Sequence, residues 1–102
     1  MNVMKILKQA QSMQKNVEKV QAELAQRTYE FSAGGGAVKV TAKGDMSVTA
    51  IVVAPSVLQA GDAEMLQDLL LSGVNGALKQ AQDAVAQEMA KVTGGLNIPG
   101  LG

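Results

Sequence analysis

The sequence predicts a small α+β fold with the element order α-β-β-β-α, and three observations support this prediction. Apolar residues recur at alternating intervals of three and four over residues 3–27, which is typical of a helix. The interval changes to two over residues 28–54, as in strands with one buried face. The helical interval returns over residues 62–92. The 102 residues suit one domain. We assign residues 1–95 to it and residues 96–102 to a flexible tail.

The first helix is predicted from an apolar seam of three heptads that contains neither Gly nor Pro. The members of the seam are Val3, Ile6, Ala10, Met13, Val17, Val20 and Leu24. With a rise of about 1.5 Å per residue, the helix is about 36 Å long, which is too long to lie wholly on its own small domain. We therefore expect part of the seam to contact another chain.

Three antiparallel strands, joined as a meander, are predicted between the two long helices. Residues 28–32 place both aromatic side chains on one face, and residues 37–43 alternate apolar with polar side chains. Gly44-Asp45 predicts a two-residue hairpin in which the glycine supplies a positive φ. The third strand ends at Pro55, which cannot donate to a ladder. Its predicted face consists of Met46, Val48, Ala50 and Val52.

The second long helix is predicted over residues 62–92. Asp62 is a good N-cap, and Glu64 and Asp68 place negative charge near the positive end of the helix dipole. These acids are also a conceivable catalytic pair, but no base, nucleophile or metal ligand accompanies them. Gly94-Gly95 is expected to end the helix.

Two groups of glycines are candidates for special roles. The run at residues 33–37 contains three glycines but leads into a strand, which favours a connecting loop over a phosphate-binding loop. Gly73 and Gly76 lie inside the second long helix, where each costs roughly 1 kcal/mol relative to Ala. Close approach of another backbone offsets such a cost, and simple tolerance of glycine is the alternative. With Asn75 between them, this turn is assigned to a dimer contact, with a contact to the sheet as the other possibility.

The composition argues against an enzyme and against a membrane protein. The chain has no Cys and no His, which excludes thiol nucleophiles, imidazole acid–base chemistry and the usual zinc sites. We therefore expect no catalytic residue, metal site, cofactor or small-molecule substrate. The longest apolar run, residues 50–55, is far shorter than the roughly 20 residues that span a bilayer. A cytoplasmic location without membrane contact is expected.

The two halves of the chain carry opposite charge although the total is zero. Residues 1–43 contain seven Lys or Arg against three Glu, a net charge of +4, and residues 44–102 carry −4. Such a split indicates either contact with a polyanion or pairing of one half with the other. At about 100° per residue, Lys5, Lys8, Lys15 and Lys19 fall within an arc of roughly 80°, nearly opposite the apolar seam. This stripe could follow a phosphate backbone, and an ordinary solvated face is the alternative.

Several spaced segments resemble the YbaB/EbfC family of nucleoid-associated proteins. In chain order they are residues 4–14 (MKILKQAQSMQ), residues 35–41 (GGAVKVT), Gly44, Pro55-Ser56, residues 64–69 (EMLQDL), Asn75, Ala77, Met89, residues 93–96 (TGGL) and Pro99-Gly100. The resemblance covers essentially the whole chain. It implies a homodimer whose long helices project from a central sheet unit like tweezers. It also implies binding of double-stranded DNA in the nucleoid with little sequence preference, and an influence on gene expression.

Combined with the charge pattern, the resemblance gives seven candidate DNA-binding residues: Lys5, Lys8, Lys15, Lys19, Arg27, Lys39 and Lys43. Family members often carry arginines in the third strand and the last helix. The corresponding segments of this chain, residues 47–50 and 78–82, contain no arginine. A second functional class therefore stays open, in which the helices bind a protein partner and the chain acts in regulation with weak or no DNA binding.

Overall fold

The structure is a computed structural model that describes residues 2–93. Its elements, in chain order, are α1 (Val3–Gln26), β1 (Thr28–Ala33), a 3-10 turn (Gly34–Gly36), β2 (Val38–Lys43), β3 (Val48–Val53), α2 (Pro55–Gln59) and α3 (Ala63–Thr93). The three strands form one antiparallel sheet in the order β1-β2-β3. The predicted α+β class and meander are confirmed, with α2 as a short helix in the last connection. The predicted helix stop at Gly94-Gly95 and the tail at residues 96–102 lie outside the described residues.

The core lies between the central strand β2 and helix α3. Val38, Val40 and Ala42 alternate along β2 and are fully buried against Ala77 and Ala81 of α3. Small residues four apart on α3 allow the helix to approach the sheet closely, and the β-branched side chains of β2 fill the space beneath it. Because α3 covers β1 and β2 and barely reaches β3, the third strand stays largely exposed.

Gly73 and Gly76 pack against the sheet of their own chain. A Cβ atom at Gly73 would lie 2.9 Å from Cγ2 of Val40, and one at Gly76 would overlap the ring of Phe31. Both glycines therefore make room for side chains of the sheet within one chain. These contacts match the alternative of a contact to the sheet, and the assignment of the two glycines to a dimer contact stays a prediction. Asn75 is exposed, and its part in a dimer contact stays a prediction.

The hairpin between β2 and β3 is longer than predicted. Residues 44–47 form the loop, which is closed by a hydrogen bond from the Lys43 amide to the Ser47 carbonyl at 2.8 Å. The positive φ, 68°, belongs to Met46 and not to Gly44. Hydrogen bonds from the Ser47 hydroxyl and amide lower the pKa of Asp45 below its ordinary value, and the positive charge of Lys43 acts in the same direction. Glycine is required at position 44 because a Cβ there would overlap the carbonyl of Leu24.

A β-bulge in β3 changes which residues of the strand share a face. Ala42 pairs with Val48, whereas the preceding residue of β2, Thr41, pairs with Ala50, so that Thr49 is the extra residue. Cross-strand partners lie on one face, so Val48 faces α3 together with Ile51 and Val53. Ala50 and Val52 lie on the opposite face, which we call the outer face of the sheet. The predicted common face of Val48, Ala50 and Val52 was therefore wrong.

Helix α1 is covered only toward its C-terminal end. Leu24 is buried, Val20, Val17 and Met13 are half-buried, and Ile6 is exposed. The covered part packs against α3, and the part that starts at Val3 extends as an arm with an exposed apolar seam. The predicted helix is confirmed, and its covered side is the predicted apolar seam.

Replacement of Gly76 by Leu tests the packing at the helix–sheet contact. The larger side chain would overlap the Phe31 ring, and we expect the free energy of unfolding to fall by about 1–3 kcal/mol. Urea denaturation followed by circular dichroism measures this change, with Ser72→Ala at an exposed site of the same helix as the control. An unchanged unfolding midpoint for Gly76→Leu would contradict the assigned contact.

Candidate nucleic-acid interface

Seven of the nine cationic side chains form no ion pair within residues 2–93. The two that do are both on α3, where Lys79 bonds Asp83 at 2.9 Å and Lys91 bonds Glu88 at 3.2 Å. The seven unpaired cations are the candidates identified from the sequence. All are exposed except Lys43, which is half-buried. The positive charge of the first half of the chain is therefore available to a ligand.

Four of these cations lie along the arm. Lys5, Lys8, Lys15 and Lys19 are exposed on α1, on the side opposite the seam that packs against α3. They extend over about 21 Å of the helix. Sequence reasoning missed Ser12, which helical spacing places between Lys8 and Lys15 on the same stripe and whose hydroxyl can donate to an anion. The sequence contains this signal, because Ser12 lies four residues after Lys8 and three residues before Lys15.

The N-terminal end of α1 adds to the positive potential of the stripe. Its N-cap, Asn2, accepts a hydrogen bond from the Lys5 amide at 3.2 Å. The first turn holds no acid, and Lys5 lies beside the positive end of the helix dipole. Helix α3 has the opposite arrangement, with Glu64 in its first turn and Lys91 in its last. The charges of α1 therefore oppose helix stability and concentrate positive potential at the end of the arm.

Two of the remaining three cations belong to the sheet. Lys39 and Lys43 lie on the outer face, because the residues between and before them, Val40, Ala42 and Val38, face α3. The two lysines are separated by about 13 Å along β2. Their partners on β1 are the small polar residues Ser32 and Thr28, with one acid, Glu30, between them. Each lysine thus lies beside a hydroxyl-bearing residue of β1, and Lys39 lies beside Val52 on the β3 side.

Arg27 connects the two groups of cations. It ends α1, and its carbonyl accepts the Gly44 amide at 2.9 Å, which ties the end of the helix to the β2–β3 hairpin. The structure therefore divides the seven candidates into an arm stripe and a sheet group, instead of one continuous patch. This division follows from the packing of α1 against α3, a contact between distant segments that periodicity does not predict.

Other chemical candidates take structural roles. The glycine run forms the 3-10 turn that leads into β2, with positive φ at Gly34, Gly35 and Gly36, so it is a connection between strands. Asp62 accepts a hydrogen bond from the Met65 amide at 3.0 Å and caps α3 as predicted. Within residues 2–93 there is no group of three acids that could hold a metal ion. No helix of this part of the chain has the length and apolarity needed to cross a membrane.

Comparison with known proteins identifies relatives along the whole chain. The profile of the YbaB/EbfC DNA-binding family matches residues 1–96. Proteins named "Nucleoid-associated protein" from Desulforamulus reducens and Pelotomaculum thermopropionicum are 53% and 51% identical, each over 98% of this chain and 95% of the relative. A solved structure of the uncharacterized protein HP0035 from Helicobacter pylori has a TM-score of 0.63 at 22% identity, covering 80% of this chain and 94% of its own. This structure supports the fold.

Replacement of Lys5 by Glu tests the electrostatics of the arm. A negative charge in the first turn favours the helix dipole, so we expect local helix stability to rise by about 0.3–1 kcal/mol. Slower hydrogen–deuterium exchange of the amides of residues 6–9 would measure the gain. Lys19→Glu, far from the helix terminus, is the control and should leave these amides unchanged. Faster exchange in Lys5→Glu would contradict the proposed effect of the dipole.

Proposed function

The chain belongs to the YbaB/EbfC DNA-binding family, and we propose that it is a nucleoid-associated protein that binds double-stranded DNA as a homodimer through phosphate contacts. The observation that carries the proposal is the set of seven unpaired cations on α1 and the sheet. Cations without protein partners are free to replace the counterions of a phosphate backbone, and release of those counterions drives binding. The role is binding and not catalysis, in the cytoplasm at the nucleoid.

The ion pairs of the chain support a polyanion as the partner of its positive half. The alternative was that the basic first half neutralises the acidic second half. Within residues 2–93 both ion pairs connect neighbouring turns of α3, and none connects the two halves. The charge asymmetry is thus not satisfied inside the described chain, and a phosphate backbone provides the complementary charge.

The types of residue favour weak sequence preference. Six of the seven cations are lysines, which act as point charges on phosphates, and only Arg27 offers a planar fork that could read a base edge. The two aromatic residues, Tyr29 and Phe31, pack against the core, which leaves no aromatic platform for stacking on bases. Contacts of this kind position a protein on a duplex without reading its sequence.

A homodimer would raise the local positive charge. A two-fold axis presents two arms and two sheet groups, which concentrates cations on one side of a protein whose total charge is zero. The exposed seam at the end of the arm, Val3 and Ile6, is the feature that fits the alternative of a protein partner. The following experiment discriminates between these two functions.

Replacement of both Lys8 and Lys15 by Gln should weaken DNA binding about equally on AT-rich and GC-rich duplexes. Because each lost phosphate contact removes about 0.9 from the log–log salt slope, we expect the slope to flatten by about one to two units for the site pair of each arm that contacts the duplex. Fluorescence anisotropy across a salt series measures both the affinity and the slope.

The matched control is the double replacement of Lys79 and Lys91 by Gln. These lysines are already paired with Asp83 and Glu88, so their loss should change the affinity and the salt slope little. If the Lys8/Lys15 variant binds as tightly as the parent at every salt concentration, the stripe is a solvated helix face and the protein-partner function is favoured.

A further inference from the structure

The N-terminal part of α1 carries apolar side chains that the rest of residues 2–93 leaves largely uncovered. Val3 is 62% exposed, and Ile6 and Leu7 are each 50% exposed. Helical spacing places these three residues and Ala10 on one side of α1, within an arc of about 100°. We call these four residues the arm patch. The lysine stripe lies on the opposite side of the helix, so a contact at the arm patch leaves the lysines accessible.

Helix α3 follows α1 toward the arm patch. A Cβ atom at Gly44 would contact both the Leu24 carbonyl and Cγ2 of Val85, so Leu24 and Val85 are neighbours. Helix α3 reaches this point from the sheet, where Gly76 packs against Phe31, whereas α1 reaches it from the arm. Because the two helices pack against each other, the rest of α3 runs antiparallel to α1, toward the N-terminal end of the arm.

The last described residue of α3 lies beside the middle of α1. Both helices rise by about 1.5 Å per residue, so Thr93, eight residues beyond Val85, is level with Asn16 of α1. Burial along α1 agrees with this level, since Met13 is half-buried and residues 2–12 are all exposed. About 20 Å of α1 extends beyond the level of Thr93, and this length contains the arm patch.

The nine residues that follow α3 have the length and the composition to cover the arm patch. Residues 94–102 contain no charged side chain, and their large apolar residues are Leu96, Ile98 and Leu101. Nine extended residues span up to about 30 Å, which exceeds the roughly 20 Å of exposed helix. Gly94-Gly95 permits a change of direction after the helix. Alternate residues of an extended segment share one side at intervals of about 6.6 Å, which is close to the 5.4 Å of one helical turn.

We propose that residues 94–102 continue along α1 of the same chain and pack Leu96, Ile98 and Leu101 against the arm patch. This inference does not depend on DNA binding, and it replaces the expectation of a flexible tail over residues 96–102. The segment begins beside the patch, and such a short tether gives it an effective concentration in the millimolar range, above that of a separate partner. The contact would stabilise an arm whose first-turn charge opposes helix formation, and it would leave the lysine stripe free.

Disulfide mapping tests the contact in the full chain, which has no native cysteine. The double variant Ile6→Cys/Ile98→Cys should form a disulfide within one chain in oxidised glutathione, because the proposed contact brings both positions together. Lys8→Cys/Ile98→Cys is the matched control, because Lys8 lies two residues away on the opposite side of α1. We expect the first pair to cross-link on the order of 10-fold faster than the control. A non-reducing gel separates disulfides within one chain from those between two chains, and circular dichroism verifies that each variant is folded.

Hydrogen–deuterium exchange tests whether the contact stabilises the arm. Ile98→Asp would place a charge in the apolar contact, so the amides of residues 7–13 should exchange on the order of 10-fold faster than in the parent. Asn97→Asp is the matched control. It adds the same charge at the neighbouring position, whose side chain faces the other way in an extended segment, and should leave these amides unchanged.

The outcomes distinguish the possible occupants of the arm patch. Preferential cross-linking of Ile6→Cys/Ile98→Cys within one chain, together with faster exchange in Ile98→Asp alone, supports the proposal. A disulfide that joins two chains overturns it, because the patch then binds residues 94–102 of a second copy. Equal cross-linking of the two cysteine pairs, or equal exchange in the two Asp variants, also overturns it and leaves the patch open to a protein partner.

Discussion

The contact between α3 and the central strand β2 is the constraint on which the rest of the structure depends. It buries Val38, Val40 and Ala42 against a helix face of small residues that includes Ala77 and Ala81. These are the largest part of the core that one chain builds, so they contribute much of the hydrophobic stabilisation of the fold. Since alternate residues of a strand face opposite sides, burial of this set fixes where every other residue of β2 points.

The same contact determines which parts of the sheet stay exposed. With the valines of β2 facing α3, Lys39 and Lys43 must lie on the side of the sheet away from α3. One helix covers about two strands, so α3 packs against β1 and β2 and leaves β3 exposed. The outward position of the two sheet lysines and the exposure of β3 thus have one structural cause.

Much of the fold follows from periodicity, whereas the corrections concern contacts between distant segments. The intervals of three to four and of two locate the helices and strands, because each reports burial of one face. In β3 apolar residues occupy both faces, so the alternation of apolar and polar residues could not indicate which side faces α3. For the same reason the sequence did not predict the bulge at Thr49. The need for Gly44 arises from the carbonyl of Leu24, twenty residues earlier. The spacing of Gly73 and Gly76 indicated a close approach without identifying Val40 and Phe31 as the groups that approach.

The sequence was sufficient to identify the candidate DNA-binding cations. The argument that those on α1 bind a ligand comes from a comparison of the charges on the two long helices. Helix α3 follows the rules of helix stability, with Glu64 in its first turn, Lys91 in its last and both ion pairs of the described chain. Helix α1 breaks the same rules, since Lys5 lies in a first turn without acids and its stripe has no ion pairs. The charges of α3 therefore stabilise their helix, whereas those in the first turn of α1 do not. Local conflicts of this kind are expected at functional sites, where binding and not stability determines the choice of residue. This contrast supports the proposal that the arm contacts DNA.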